Sequence, residues 1–262
     1  MAETFLIDVP EYGEKELQQI WGTKENWYTK DAWLEIAGAA DIERKIRKTD
    51  ELFLANIASL KLAAPDGKRG EMALKLRKEA ECAVKGDCLT ESEIEKVTTA
   101  AVPELFNQYN LLSGIYEDDA VSKRKNIDLV LAPGGKIREI IELKQRDNTK
   151  NPLYAVLQIV YYYKILKKLR DMGYTKDKGF DTDCETPLTL RVLMPEEYFV
   201  NFGDKKAADT ICSLLYNRLF VYAKFSIFSQ AKVESIVKNA ADKDERNTLI
   251  REYFAAVMAG RA

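Results

Sequence analysis

The stretch NIDLVLAPGGKIREIIELK, residues 126–144, decides the fold of this chain. Two aliphatic runs, Asn126 to Ala132 and Lys136 to Lys144, flank a Pro-Gly-Gly turn signal, which reads as a β-hairpin. The same hairpin carries two acids and a lysine. Along its second strand Arg138, Ile140, Glu142 and Lys144 point to one face, and Ile137, Glu139, Ile141 and Leu143 to the other, so Glu142 and Lys144 share a side. Loop length decides whether Asp128 joins them. A two-residue loop at Gly134-Gly135 pairs Asp128 with Ile141, whereas a three-residue loop from Gly134 to Lys136 sets it opposite Glu142. The odd loop is the one expected, because it combines a type I turn with a left-handed glycine that this sequence supplies.

Carboxylates facing each other across adjacent strands repel unless a cation sits between them. A hard divalent ion, Mg²⁺ or Mn²⁺, suits Asp128 and Glu142 as ligands. Such an ion lowers the pKa of a bound water and stabilises a leaving oxygen, which makes phosphodiester cleavage the natural chemistry. Beside two carboxylates the Lys144 pKa rises, so its expected role is to orient water and stabilise charge rather than to act as a base. The competing reading is a structural ion-pair cluster. An isolated ExK carries little information: Glu43-Arg44-Lys45 has the same spelling in a helical context with no partner acid.

Outward from the hairpin, helices are expected at about 70–85 and 91–109, the second opened by a Thr90–Glu93 capping box and kinked or restarted at Pro103. A strand at Leu111 to Tyr116 precedes the hairpin. A helix from Pro152 to Met172 follows it, then an apolar strand from Leu188 to Met194, helices near 204–219 and 242–258, and a β-leaning stretch at Phe220 to Phe228. On the helix after Lys144, Tyr154, Gln158 and Tyr162 are spaced by four and line one face. A glutamine among aliphatic and aromatic residues needs a hydrogen-bonding reason, and a neighbouring active site provides one. The N-terminal residues 1–62, with Trp21, Trp27 and Trp33, read as a helical module for substrate choice or dimerisation; the larger domain spans 63–262, with its core at about 70–195.

Composition narrows the chemistry further. The chain has 262 residues, 46% hydrophobic and 31% charged, and no histidine. Imidazole-based mechanisms fall away, and so do nucleotide and dinucleotide enzymes, since neither GxxxxGK[ST] nor GxGxxG is present. Cys82, Cys88, Cys184 and Cys212 form no CxxC pair and read as reduced thiols. With no basic leader and no apolar run of membrane-spanning length, a cytoplasmic location is expected. The net charge of −2 hides segregation: Val121 to Arg170 holds twelve Lys/Arg against four Asp/Glu, whereas Asp87 to Asp119 holds eight acids and one lysine. The basic segment suits a polyanion, with Lys123, Arg124, Lys125, Arg146 and Lys150 as candidate phosphate contacts, while the acidic block reads as a solvated helical face. Gly114-Ile115-Tyr116 spells the first half of a GIY-YIG signature but lacks its second half, so it reads as plain strand.

Taken together, Ile127-Asp128-Leu-Val-Leu, Ile140-Ile-Glu142-Leu-Lys144 and Leu157-Gln158-Ile-Val-Tyr-Tyr162 resemble the core of the PD-(D/E)xK, or restriction-endonuclease-like, nuclease superfamily. The resemblance covers roughly residues 105–195. It implies an α/β fold with an αβββαβ core, a mixed central sheet flanked by helices, and the N-terminal helical module appended. It further implies that Asp128 and Glu142 bind Mg²⁺ or Mn²⁺, that Lys144 is catalytic, and that Gln158 supports the site. Ile127 replaces the proline that gives the superfamily its name. An additional acid on the first core helix is common in such proteins, and Glu71, Glu79 and Glu104 compete for that place. The expected function is an Mg²⁺-dependent endonuclease of restriction, mobile-element or phage-defence type, acting on DNA in preference to RNA, with a homodimer favoured if both strands are cut. The alternative is an inactive nuclease-fold protein that binds nucleic acid or serves assembly; an enzyme acting on a small nucleotide is a third.

Overall fold

In the computed structural model, which describes residues 14–23, 26–37, 39–58, 88–110, 126–171, 188–202, 205–219 and 221–260, the hairpin lies inside a five-stranded mixed sheet. Helices α1 (Glu14–Trp21), α2 (Lys30–Ala37), α3 (Ile42–Ala58) and α4 (Glu91–Ala101) precede strands β1 (Leu105–Asn110), β2 (Asn126–Leu131) and β3 (Glu139–Leu143). Helix α5 (Pro152–Asp171) leads to β4 (Thr189–Pro195), and α6 (Glu196–Phe202) and α7 (Lys205–Leu219) lead to β5 (Ala223–Phe228). Helices α8 (Gln230–Asn239) and α9 (Lys243–Met258) close the chain. The strands lie side by side in chain order; β1, β2 and β3 are antiparallel, and β3, β4 and β5 parallel. Each parallel step requires a crossover over one face, which the intervening helices supply.

Period-2 alternation sorts the strand residues into two cores. Val130, Ile140 and Val192 enter one with α5, α7 and α1 to α3; Leu129, Ile141 and Leu193 enter the other with α4 and α9. All five residues of β3 are buried, which explains why it reads as a continuous apolar run rather than an alternating one. The N-terminal helices share the first of these cores. Phe53 meets Tyr161 of α5 edge to face with ring centroids 4.9 Å apart, Asp50 pairs with Lys164, and Asn151 Nδ2 donates to the Trp27 carbonyl at 2.7 Å. Glu43-Arg44-Lys45 lies at the start of α3, where Arg44 bonds Asp41 at 2.5 Å and Lys45 donates to the Trp21 carbonyl, so this ExK is structural.

The hairpin register has the expected parity but a different turn. Leu129 pairs with Ile141, Val130 with Ile140 and Leu131 with Glu139, which puts Asp128 across from Glu142. The strands part after Leu131, however, and residues 132–138 form a longer connection around a 3-10 turn at Pro133–Gly135. Gly134 and Gly135 both adopt positive φ, +61° and +79°, the region that favours glycine. Strand β3 therefore runs from Glu139 rather than from Lys136.

Pro103 ends α4 instead of kinking it. Proline disfavours the helical conformation in the residue before it, and Val102 is extended at φ −106°, ψ 108°. The chain from Leu105 is thus strand, where helix was expected to 109; the strand and half-signature expected at 111–116 lie outside the described residues, as does the helix at 70–85. The capping box is present: the Glu93 N–H donates to Thr90 Oγ1 at 3.3 Å, and the Thr90 N–H donates to Glu93 Oε2 at 2.9 Å. Helices α6 and α8 were not expected, being too short for a clear 3.6-residue pattern. Among the described residues Cys88 and Cys212 are free thiols, and no helix is long and apolar enough to cross a membrane.

Candidate active site

One step beyond the Leu129–Ile141 pair of β2 and β3, Asp128 and Glu142 occupy facing positions. The Leu143 N–H donates to Asp128 Oδ2 at 2.8 Å, so this carboxylate is anchored by the backbone of the strand that carries its partner. Glu142 is fully buried. Its Oε1 accepts from Lys144 Nζ, and its Oε2 has no hydrogen-bond partner. Lys144 sits one residue past the end of β3 and is 6% exposed. Its own N–H donates to the Leu193 carbonyl at 2.9 Å, holding it to β4 as the strand ends.

Helix α4 adds two more acids. Glu91 and Glu95 are one turn apart and share a face. Their carboxylate oxygens and one of Asp128 lie within 4.8 Å of one another. Glu95 is buried, and Glu91 and Asp128 are half-buried. These, and not Glu104, are the acids that the first helix brings to the site: Glu104 follows the helix end and is exposed. Glu71 and Glu79 lie outside the described residues. The capping box contained the signal that could have found them. Once Thr90 fixes the start of α4, Glu91 and Glu95 fall on one helical stripe near its N-terminus, where acids are favoured.

Helix α5 supplies Gln158 and Tyr162. Gln158 Nε2 donates to Tyr162 Oη at 3.4 Å, and the Tyr162 ring is buried, 4% exposed. Burial raises the Tyr162 phenol well above its ordinary pKa, and the charges of Glu142 and Asp128 add to that. Gln158 therefore reaches the site through Tyr162, a residue the spacing placed on the same face without a role.

The acids are held at unusual pKa values. Burial raises Asp128 well above the usual carboxylate range and the Glu142 charge adds to it, against the pull of Lys144. Burial likewise raises Glu142 to about 7, with Lys144 opposing and Glu91 and Glu95 adding. Burial alone would lower the Lys144 ammonium, but Glu142, Glu91 and Asp128 overcome it and raise it, so the lysine is a permanent cation near neutrality.

A second buried acid shows what a purely structural pair looks like in this fold. Glu139, near the hairpin turn, receives Arg191 Nε on Oε1 and Arg191 Nη2 on Oε2, the latter at 3.2 Å, and Arg191 also donates to Ser226. Both oxygens of Glu139 are used, as the desolvation of a buried charge demands. Glu142 leaves one oxygen bare, across the hairpin from Asp128 and within the influence of the Glu91 and Glu95 charges. A bare buried oxygen in an all-carboxylate set fits a hard divalent cation, whose ligands are oxygens.

The expected nucleic-acid contacts are placed differently. Arg146 is bound to Glu234 at 3.2 Å, and Lys150 donates to Tyr154 Oη at 2.7 Å with its ammonium 4.0 Å from that ring's centroid. Both are engaged within the protein. Lys123, Arg124 and Lys125 lie outside the described residues. No protein-family model, no curated protein and no solved structure matches the chain.

Proposed function

We propose that this chain is a metal-dependent nuclease that hydrolyses phosphodiester bonds in nucleic acid, with a restriction-endonuclease-like core. The observation that carries the reading is the unpartnered Glu142 Oε2, fully buried beside the Lys144 ammonium and facing Asp128, whose carboxylate converges with those of Glu91 and Glu95. The order helix, three antiparallel strands, helix, parallel strand, from α4 to β4, supports it as well.

Asp128 and Glu142, joined by Glu91 and Glu95, would hold Mg²⁺ or Mn²⁺. When bound, such an ion supplies Lewis-acid polarisation of a phosphate oxygen and activation of a water. The chain's own residues divide the remaining work. Lys144, kept charged by its acidic neighbours, orients the attacking water and offsets the negative charge that grows on the phosphate in the transition state. Tyr162 stays protonated, and because its oxygen accepts from Gln158 it retains its own O–H to donate to an oxygen of the site. Aliphatic packing on both faces of β3 keeps these groups in fixed rotamers and limits water. The basic segment around the hairpin favours a polyanionic substrate, and DNA of restriction, mobile-element or phage-defence context is the first substrate to test.

The test is cleavage of a panel of single- and double-stranded DNA and RNA with Mg²⁺ or Mn²⁺. The reading expects metal-dependent cuts that Lys144→Ala abolishes. Tight binding to duplex with no cleavage of any member would instead establish a binding module.

A further inference from the structure

We propose that α8 is a clamp that sets the spacing of the two acid-bearing segments, with Gln230 and Glu234 as positioning residues for metal capture; the metal part of this inference rests on the nuclease reading. The two segments are the approach to α4, at Leu89, and the exit of β3, at Arg146. Leu89 lies two residues before Glu91, and Arg146 two residues after Lys144, so displacement of either segment moves acids or the lysine directly.

Gln230 is fully buried, and both ends of its carboxamide are used. Its Oε1 accepts the Arg146 N–H at 2.9 Å, while its Nε2 donates to the Leu89 carbonyl at 2.8 Å and to Glu234 Oε1 at 3.0 Å. One turn later Glu234 touches the same two segments: Oε1 accepts the Leu89 N–H at 3.0 Å, and Oε2 accepts from Arg146 Nη1 at 3.2 Å. Two side chains thus bind both backbone polar groups of Leu89 together with the backbone and guanidinium of Arg146. No described strand or helix ladder makes these bonds, so the clamp is what satisfies them. Gln145 adds a direct tie, accepting the Glu91 N–H on its Oε1 at 3.1 Å.

The clamp is itself fixed from behind. Glu197 of α6 accepts the Gln230 N–H at 3.2 Å and the Ala231 N–H at 2.9 Å, which places a carboxylate at the N-terminus of α8 where the helix dipole favours it. Ser229 caps the same turn and donates its N–H to Tyr253 of α9. A rigid helix that reads two separate segments at once fixes their distance. This is the arrangement by which outer residues orient metal ligands, and loss of such partners typically weakens metal affinity about 10- to 100-fold.

The experiment measures Mn²⁺ affinity by calorimetry, well below the melting temperature, for the wild type, Gln230→Met and the milder isostere Glu234→Gln, together with amide hydrogen exchange at Glu91 in the metal-free proteins. The expected result is Mn²⁺ affinity reduced at least about 10-fold in Gln230→Met and by less in Glu234→Gln, with faster Glu91 exchange in both. A merely structural role would lower the melting temperature yet leave affinity and Glu91 exchange in the folded protein unchanged, and that result overturns the proposal. Should Gln230→Met not fold, Glu234→Gln alone decides by the same two readouts. If the wild type binds no Mn²⁺, the nuclease reading fails; exchange at Glu91 then decides the clamp separately, faster in the variants if it exists and unchanged if it does not.

Discussion

Metal capture by this site should be steeply pH-dependent between pH 6 and pH 8. Glu142 must give up a proton to become a ligand, and in the metal-free protein its carboxyl is raised by burial to about 7. Because binding requires the deprotonated form, the apparent Mn²⁺ dissociation constant scales with one plus the ratio of protonated to ionised Glu142. That factor is about 11 at pH 6, about 2 at pH 7 and close to 1 at pH 8, so affinity should strengthen about tenfold from pH 6 to pH 8 and then level off. Asp128, also raised by burial and by the Glu142 charge, acts in the same direction. The same proton acts in the opposite direction on the stability of the metal-free protein. The folded state holds it to about pH 7 while the unfolded chain releases it near 4.5, so this group's contribution is fully present below pH 4.5 and is lost as the pH passes 7. Calorimetric titration with Mn²⁺ in two buffers of different ionisation enthalpy reads both affinity and protons released. A dissociation constant flat from pH 6 to pH 8, with no proton released at pH 6.5, would refute the reasoning.

Substitution of the lysine touches both chemistry and folding. Lys144→Ala should abolish cleavage, and because it strands a buried carboxylate it should also destabilise the metal-free protein by about 3 kcal/mol, measured by urea unfolding, with added Mn²⁺ restoring part of the loss. Glu139→Gln should cost a similar amount, about 3 kcal/mol, by breaking the buried pair with Arg191, yet leave Mn²⁺ affinity unchanged; weakened affinity would show that the two acids are not functionally distinct. Glu95→Gln should weaken Mn²⁺ binding, so that at a metal concentration giving the wild type about 2.7 kcal/mol of stabilisation the variant's melting temperature rises visibly less. Gly134→Ala meets no neighbouring atom but must adopt φ +61°, so it should cost about 1 kcal/mol through backbone strain alone and leave activity intact.

The central hairpin and the helix after it were legible because their signals are local. Alternation places Glu142 with Lys144, an odd loop parity places Asp128 opposite, and four-residue spacing joins Gln158 to Tyr162. What escaped depends on distance along the chain. Glu91 and Glu95 lie in a block of acids that reads as solvated surface, and only the packing of α4 against the second core turns that stripe toward Asp128. Pro103 was read as a kink or restart within a longer helix, whereas the extended Val102 shows that the helix stops there. Residues Gln230 and Glu234 carry no sequence signature at all, since their partners lie 84 to 145 positions away. The pairing of Arg146 with Glu234 was not legible either, because Glu234 sits on a helix too short to be anticipated. The N-terminal tryptophans were read only as part of a helical module, and nothing in their spacing says that they join the core beneath α5.

The most direct test of the account is anomalous diffraction from crystals soaked in Mn²⁺. The account predicts one peak or a close pair among Asp128, Glu142, Glu91 and Glu95, with Glu142 Oε2 bound to it and Lys144 still on Oε1. Absence of any peak there, with Glu142 Oε2 satisfied by a protein donor instead, would contradict it.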